Sequence, residues 1–379
     1  MGVLLTVEQK MIRQMVREFA RNRLEPEAAR MDREEIFPAE QLKTMGELGL
    51  MGMMIPVEHG GGGVGAVAYS LAITEIAYAC AATAVTMSVN NLTCDPINKL
   101  GTAKQKKEIL EPLASGRWLS SFAITEPGSG SDSGSLTMRA LRDGDDYILN
   151  GTKMFITNGA YADVILTIAR TDPEQGKRGL TAFLVHKGTK GFSVGAAEDK
   201  MGLRASNTVE LIYEDVRIPA AMRLGDEGEG FKIAMMALDG GRVGIASQSV
   251  GIGRACLDEA VRYASEREQF GHPIADNQAI QWMLADTATE LEAAKLLTLR
   301  AADLKEQGKP FTREASMAKV YASEMANRAA FRAVQVHGGY GYSKHFKVER
   351  LYRDARITTI YEGTSEIQRL VISRSLLTD

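Results

Sequence analysis

Tyr147-Ile148-Leu149-Asn150-Gly151-Thr152-Lys153-Met154-Phe155-Ile156-Thr157 is the stretch that decides the fold class. Two β-prone runs, Tyr147-Ile148-Leu149 and Phe155-Ile156-Thr157, flank Asn150-Gly151. That dipeptide favours two-residue hairpin turns, so the spacing predicts a hairpin. Val164-Ile165-Leu166, Thr181-Ala182-Phe183-Leu184-Val185 and Val209-Glu210-Leu211-Ile212-Tyr213 read as further strands. No helical segment of about 10–15 residues separates these runs, which excludes a doubly wound parallel sheet. A compact antiparallel β domain is expected.

Outward from this core the texture is helical on both sides. Thr6 with Gln9 forms a capping-box pattern, and Ile12, Met15, Val16 and Phe19 then follow helical spacing. Pro38 can open a second helix with Leu42, Met45 and Leu48 on one face. Pro56 and Gly60-Gly61-Gly62-Gly63 break the chain. The glycine run lacks the Lys-Ser/Thr of a phosphate cradle and reads as a flexible loop. A helix resumes near Val67, and Thr102 with Gln105 caps another that ends near Gly116. Beyond Gly225-Asp226-Glu227-Gly228-Glu229-Gly230, long helices are expected across 231–265, 277–307 and 312–335, and a short one from Ser365. Gly308 and Pro310 mark a break between two of them. Long helices with short connections predict an antiparallel four-helix bundle. The expected fold class is α+β, multi-domain: an N-terminal helical domain (1–117), a middle antiparallel β-barrel-like domain (118–226) and a C-terminal four-helix bundle (227–379).

Composition excludes several functions. The 45 Lys and Arg residues stand against 48 Asp and Glu, net −3, with no polybasic run, so nucleic acid is not an expected partner. Cys80, Cys94 and Cys256 are odd in number and widely spaced, neither a disulfide framework nor a zinc set. They read as buried thiols in a reducing compartment. The five histidines do not cluster with them, and no metal site is expected. No charged-then-apolar leader precedes Thr6, and no apolar run approaches the roughly 18 residues of a membrane span. A cytoplasmic protein without membrane contact is the expectation.

Four stretches carry candidate chemistry. In Tyr361-Glu362-Gly363-Thr364-Ser365-Glu366-Ile367-Gln368, Ser365 and Gln368 match a capping box ahead of an apolar stripe (Ile367, Leu370, Val371). Glu362 is then expected in a loop just before a helix N-terminus. Gly363 lets another group come close, and a carboxylate beside free N–H groups could take a proton and hold the resulting charge. Read alone, the stretch is as simply a solvated helix cap. In Phe122-Ala123-Ile124-Thr125-Glu126-Pro127-Gly128-Ser129-Gly130-Ser131-Asp132 a strand ends in a loop that offers hydroxyls and N–H groups to a planar polar ring or a phosphate. The bland reading is a loop between strands. The others are Arg267-Glu268-Gln269-Phe270-Gly271, with Gln278, and Gln335-Val336-His337-Gly338-Gly339-Tyr340-Gly341. The paired glycines alone could be a helix C-cap.

Together these stretches resemble the acyl-CoA dehydrogenase family, from about residue 4 to residue 377. The resemblance includes Thr125-Glu126-Pro127-Gly128, Phe155-Ile156-Thr157-Asn158, Asp239 with Arg242, Arg267 through Gly271, Gln335 through Gly339, Arg353-Asp354-Ala355 and Tyr361-Glu362-Gly363-Thr364. It implies FAD between the β domain and the C-terminal helices. Phe122, Ile124, Thr125, Gly130 and Ser131 would lie along the flavin and ribityl side, and Phe155, Ile156 and Thr157 against the ring. Phe155 stands where many relatives carry Trp. Arg267, Phe270 and Gln278, with Gln335, Gly338 and Gly339 of a neighbouring subunit, would hold the pyrophosphate and adenine; Thr364 and Glu366 would complete the site. Ser131, Asp239, Arg242, Tyr361 and Gly363 would contact the acyl-CoA.

The resemblance makes Glu362 the base that removes the pro-R α-proton, the β-hydrogen leaving as hydride to flavin N5 and giving a trans-2-enoyl-CoA. The Glu362 N–H and a ribityl hydroxyl would stabilise the thioester oxygen. Raising a carboxylate from about 4.3 to near 7 strengthens it as a base by roughly 4 kcal/mol. Relatives that carry the base on the helix after the β domain would place it at Gly241, which cannot serve. Residues 82–89 contain no Arg or Lys, which argues against a dicarboxylic acyl group. The character is most like short-chain, butyryl-CoA-type members, with branched or alicyclic substrates as alternatives. A homotetramer (dimer of dimers) and electron-transferring flavoprotein as acceptor are implied. Competing readings are an enoyl-CoA reductase, an oxygen-using oxidase and a flavin-binding scaffold without turnover.

Overall fold

The computed structural model describes residues 5–378. Thr6 caps α1 (Val7–Phe19) with both bonds of the expected box, Gln9 N–H to its hydroxyl and its own N–H to the Gln9 side chain. A wide π turn at Ala20–Leu24 joins α1 to α2 (Glu25–Glu34), just ahead of Pro26. Proline lacks the N–H and crowds the carbonyl four residues back, and a wider turn accommodates it. After α3 (Ala39–Glu47), the run Gly60-Gly61-Gly62-Gly63 is pinned rather than slack. Gly61, Gly62 and Gly63 donate to the carbonyls of Pro56, Gly52 and Ile55, and a Cβ on Gly61 would lie 2.2 Å from Ile55 O. The glycines serve close packing. Helices α4 (Gly65–Ala79) and α5 (Ala81–Leu100) follow, α5 buried from Ala81 through Ile97. Two short helices, α6 (Ala103–Gln105) and α7 (Glu111–Ala114), flank a second π turn ahead of Pro112.

Eight strands form the middle sheet: β1 (Ser120–Ala123), β2 (Arg139–Asp143), β3 (Asp146–Thr157), β4 (Val164–Arg170), β5 (Leu180–His186), β6 (Phe192–Ala197), β7 (Thr208–Pro219) and β8 (Arg223–Leu224). The path runs β6-β7-β3-β2-β4-β5-β8, with β1 added beside β4. Pairing is antiparallel except that β1 and, at one residue pair, β2 lie parallel to β4.

The hairpin expected at Asn150-Gly151 does not form. Residues 147–157 are one continuous strand, β3, paired along its length with β7. The register slips at Gly151, whose φ is +146°, and a Cβ there would strike Met138 at 2.9 Å. Asn150 instead exchanges hydrogen bonds with Asp215 across the strands. The local turn signal yields to long-range pairing and becomes a bulge.

Strand β4 is apolar on both sides because both sides are covered. Ile165 and Ala169 face β3 and β7, joined there by Phe183 against Tyr147; Val164, Leu166 and Ile168 face Cys94, Ile97, Ile109 and Leu113. The sheet is thus wedged against the N-terminal helices.

The remainder is helical: α8 (Gly230–Glu266), the ribbon β9 (Glu268–Gln269) and β10 (His272–Pro273), α9 (Gln278–Glu306), α10 (Thr312–His337), α11 (Lys347–Arg356) and α12 (Ser365–Thr378). α11 lies outside the four expected helices. It stitches distant segments, with Arg353 on Asp32 and Asp354 accepting the Leu203 N–H at 2.6 Å. α8 packs on α4, α5 and α10. Its glycines allow close approach; a Cβ on Gly251 would meet Thr74 O at 2.5 Å. Among the described residues no helix is long and apolar enough to cross a membrane.

Candidate active site

Glu362 sits in the short loop between α11 and α12 with φ +53°, followed by Gly363 at +91°. Two consecutive left-handed residues turn the chain sharply, and for glutamate that backbone is uncommon. The expected capping box at Ser365 is absent. Thr364 caps α12, accepting the Ile367 N–H at 3.3 Å, while the Ser365 hydroxyl is buried without a partner. Gln368 reaches back to the carbonyls of Glu362 (3.3 Å) and Gly363 (2.9 Å). A second donor to Gly363 O is Lys319 Nζ of α10, at 2.7 Å. Tyr361 donates its hydroxyl to Gln248, which in turn anchors on Ala81 O. The loop is therefore held from α5, α8, α10 and α12.

This scaffold delivers the Glu362 carboxylate into the wall of α8. A Cβ on Gly241 would lie 2.0 Å from Glu362 Oε2 and 2.6 Å from Leu92 Cδ1. Oε2 is buried and makes no hydrogen bond. Burial pushes the carboxyl up to about 7, against the opposing pull of Lys319 and Arg242. An acid held so is poised to exchange a proton near neutral pH. The Glu362 N–H also has no protein acceptor among the described residues.

Asp239 and Arg242 lie on α8 beside this loop. Arg242 Nη1 meets Asp239 Oδ1 at 2.6 Å, and Thr312 donates to the other carboxylate oxygen. Arg242 is 4% exposed, and its buried Nε has no partner. One turn along α8 from Gly241, a Cβ on Gly244 would lie 2.4 Å from Ser88 Oγ and 2.7 Å from the Tyr69 hydroxyl. These two hydroxyls are hydrogen-bonded to each other. The space beside Glu362 is closed on that side.

A second cluster gathers at the end of β1 and along β3. Met154 N–H donates to Thr125 O, and Ser121 Oγ donates to Thr157 O, so Phe122, Ile124, Thr125 and 155–157 form one surface. Phe155 is 61% exposed with φ +57°, an aromatic ring presented outward on a strained residue. Ile156 turns its side chain into the sheet core, so only its backbone is available. Gly130 and Ser131 are exposed, and a Cβ on Gly128 or Gly130 would meet nothing within 4 Å. The hydroxyls of Thr125 and Thr157 make no hydrogen bond among the described residues. An outward aromatic, two unspent hydroxyls and an open glycine loop fit a planar heteroaromatic ring with a polar edge. Lys153, with no surface exposed, donates to Ile124 O and to Glu126, each at 2.9 Å, and so fixes this loop.

Helix α5 links the clusters. Its Thr86 carbonyl accepts from Asn158, just past β3, and its Leu92 lies against Gly241, the residue that Glu362 Oε2 also approaches. Six residues of helix make that separation about 9 Å. The third group stands apart. Phe270 is 96% exposed at the ribbon tip, Arg267 lies over the Tyr340 ring, and Gln278, Gln335, Gly338 and Gly339 are exposed. No hydrogen bond or ring contact among the described residues joins this group to the other two. Thr364 and Glu366 flank the Glu362 loop, Glu366 exposed.

Sequence reasoning passed over Lys153, Lys319 and Gln248. A signal existed for Lys319: it falls on the same helical face as Ala315, Ala322 and Ala326, all fully buried, where a lone lysine is out of place.

A helical–sheet–helical chain with a desolvated carboxylate and an open surface that carries an outward aromatic ring has the architecture of an acyl-CoA-oxidising flavoenzyme. Family models agree: acyl-CoA dehydrogenase N-terminal domain at residues 6–117, middle domain at 121–216 and C-terminal domain at 228–377. The chain belongs to the acyl-CoA dehydrogenase family, whose members use FAD, and it resembles the short-chain enzymes. It is 52% identical over 377 residues to the mitochondrial short-chain specific acyl-CoA dehydrogenase of Mus musculus (99% of this chain, 92% of that one). Over 375 residues it is 49% identical to an acryloyl-CoA reductase (NADH) of Anaerotignum propionicum (98% and 95%). Butyryl-CoA dehydrogenase from Megasphaera elsdenii superposes with a TM-score of 0.98 at 43% identity, covering all of both chains. A chain solved in work on the electron transferring flavoprotein of Acidaminococcus fermentans gives 0.99 at 46%, again over all of both.

Proposed function

We propose that this enzyme removes the α-proton of a short-chain acyl-CoA with Glu362 and yields the trans-2-enoyl-CoA. The observation that carries the reading is the buried, unpartnered Glu362 Oε2, held near neutral proton affinity. The proton is taken at Oε2, forming the neutral acid. The free Glu362 N–H donates to the thioester carbonyl as negative charge gathers there, and the dry surroundings strengthen that bond. FAD, when bound, supplies the acceptor for the β-hydrogen as hydride. Phe122, Ile124, Thr125, Phe155 and Thr157 would hold its ring, Gly130 and Ser131 its chain, and Thr364 with Glu366 would complete the cradle. The Ser88–Tyr69 pair supports a short acyl group, because these two side chains pack against Gly244 one helical turn past the base.

Separation of Arg267, Phe270, Gln278, Gln335, Gly338 and Gly339 from the ring surface supports a cofactor site completed by a second copy, and with it the homotetramer. Electron-transferring flavoprotein is the proposed acceptor. Anaerobic titration with butyryl-CoA tests the reading: the flavin band should bleach in the native enzyme and persist in Glu362→Gln, which still binds the ligand. Bleaching in that variant would refute the base. The acryloyl-CoA reductase relative favours one other reading, the same site run as an enoyl-CoA reductase. Flavin reoxidation by crotonyl-CoA that outpaces reoxidation by electron-transferring flavoprotein would select it.

A further inference from the structure

Lys319 is the buried charge that the chemistry above leaves unused. It lies in α10 among Ala315, Ser316, Ala318, Ala322 and Ser323, all without exposed surface, and is itself 0% exposed. Its Nζ makes one hydrogen bond, to the carbonyl of Gly363, the residue after the base. An ammonium group without solvent and with one acceptor is costly unless an anion shares its site. The anion next to Gly363 in sequence is Glu362, whose carboxylate attracts the ammonium through space without a direct ion pair among the described residues. Among the described residues, the other charged or titratable groups around the pair are Arg242 with Asp239 from α8, Tyr69 from α4, Tyr361 from the loop itself, Glu324 from α10 and Glu366 from α12; α5 contributes Leu92 beside Gly241 and, farther off, Asp95 acting on Tyr69. Glu324 is already paired with Arg369, and Glu366 is exposed.

We propose that Lys319 is a positioning residue for the base: it holds the left-handed Glu362–Gly363 turn through the Gly363 carbonyl and provides the cation against which the Glu362 carboxylate ionises. Arg242 adds a second pull on the carboxyl, smaller than that of Lys319 and offset by the Asp239 carboxylate that its Nη1 already meets. Burial and Lys319 pull in opposite directions on the carboxyl, and the balance leaves it near neutrality. The inference rests on Glu362 as the base.

The test uses FAD-loaded enzyme carrying Lys319→Met, Lys319→Gln or Lys319→Arg. One readout is the pH profile of kcat/KM for butyryl-CoA. The other is an infrared titration of the Glu362 carboxyl in substrate-free enzyme, its band assigned by its loss in Glu362→Gln. Removal of a facing cation should raise the midpoint by about one pH unit or more in the neutral variants, so that activity at pH 6 falls about tenfold relative to that at pH 9. Lys319→Arg should keep the native midpoint. Gln368→Leu, which removes the other donor to Gly363 O without a change of charge, should slow turnover at every pH and leave the midpoint in place. An unmoved midpoint in Lys319→Met and Lys319→Gln overturns the proposal, as does an equal shift in Gln368→Leu. Failure of both neutral variants to fold while Lys319→Arg folds also overturns it, since the lysine then serves the fold alone. Turnover by Glu362→Gln would refute the base assignment separately, and the infrared titration would still report on Lys319.

Discussion

Glu126 and Glu362 are two acids withdrawn from water, each in a segment bound by a buried lysine, and they end in opposite states. Glu126 is fully engaged: Thr137 N–H and hydroxyl bond one oxygen, Met138 N–H and Lys153 Nζ the other. These donors outweigh burial and hold its carboxyl below the ordinary range. Glu362 has cations nearby but no donor on Oε2, and burial wins. Burial alone does not make a base; burial with the hydrogen bonds withheld does. Glu126 locks a loop, and Glu362 waits for a proton.

The largest expected effect separates the two directly. Glu362→Gln should slow flavin reduction by butyryl-CoA about ten-thousandfold, the upper range for a positioned base. Stopped-flow absorbance checks this, and FAD content should be unchanged. Lys153→Met should act through stability instead. It strands the Glu126 carboxylate in the interior, a loss of about 3–5 kcal/mol. Urea denaturation reads the loss, and the flavin-to-protein absorbance ratio should fall with it, because the same lysine fixes Ile124 O.

Next comes a contrast in sign. Glu362 has a folded value of about 7 against an ordinary 4.5, so the folded state binds the extra proton between them. Its contribution to stability is greatest below 4.5 and is lost as pH rises toward 7, a penalty on the order of 3 kcal/mol above that. Glu126, held low, contributes above its ordinary value and loses that contribution as pH falls through its folded value. Glu362→Gln should therefore be more stable than the native enzyme at pH 8 and match it near pH 4. Thermal unfolding across that range checks both signs. The same protonation makes kcat/KM rise through about pH 7. The smallest effect expected is that of Thr364→Ala, about 1 kcal/mol for a lost helix cap. Alanine at Ser365, which caps nothing, should not reproduce it.

Much of the fold was legible because its signals are local. Helical spacing in α1, the Thr6 and Thr102 capping boxes and the long helices of the C-terminal part need only neighbours three or four residues away. The signal at Asn150-Gly151 was equally local and misleading, since β7, some sixty residues on, decides what β3 does. Ser365 and Gln368 had the right spacing for a cap, but Gln368 is drawn back to the Glu362–Gly363 turn. Lys153 and Lys319 were overlooked because their meaning lies in the partners they meet. Those partners are Ile124 O and Glu126 for the first, Gly363 O for the second.

By itself the sequence determined the order of helices, strands and helices, and placed an acid in a short loop before the last helix. Helical periodicity acts over a few residues and survived the packing here, as the Asn150-Gly151 turn signal did not. Tertiary structure decided that this acid is held near neutral proton affinity, as the proposed base requires. That property depends on Gly241 leaving room for a carboxylate from 121 residues later in the chain, on Lys319 holding the neighbouring Gly363 carbonyl, and on no donor reaching Oε2. Proton affinity is set by the dielectric and the charges around a group, and those exist only once α5, α8, α10 and α12 have closed around it.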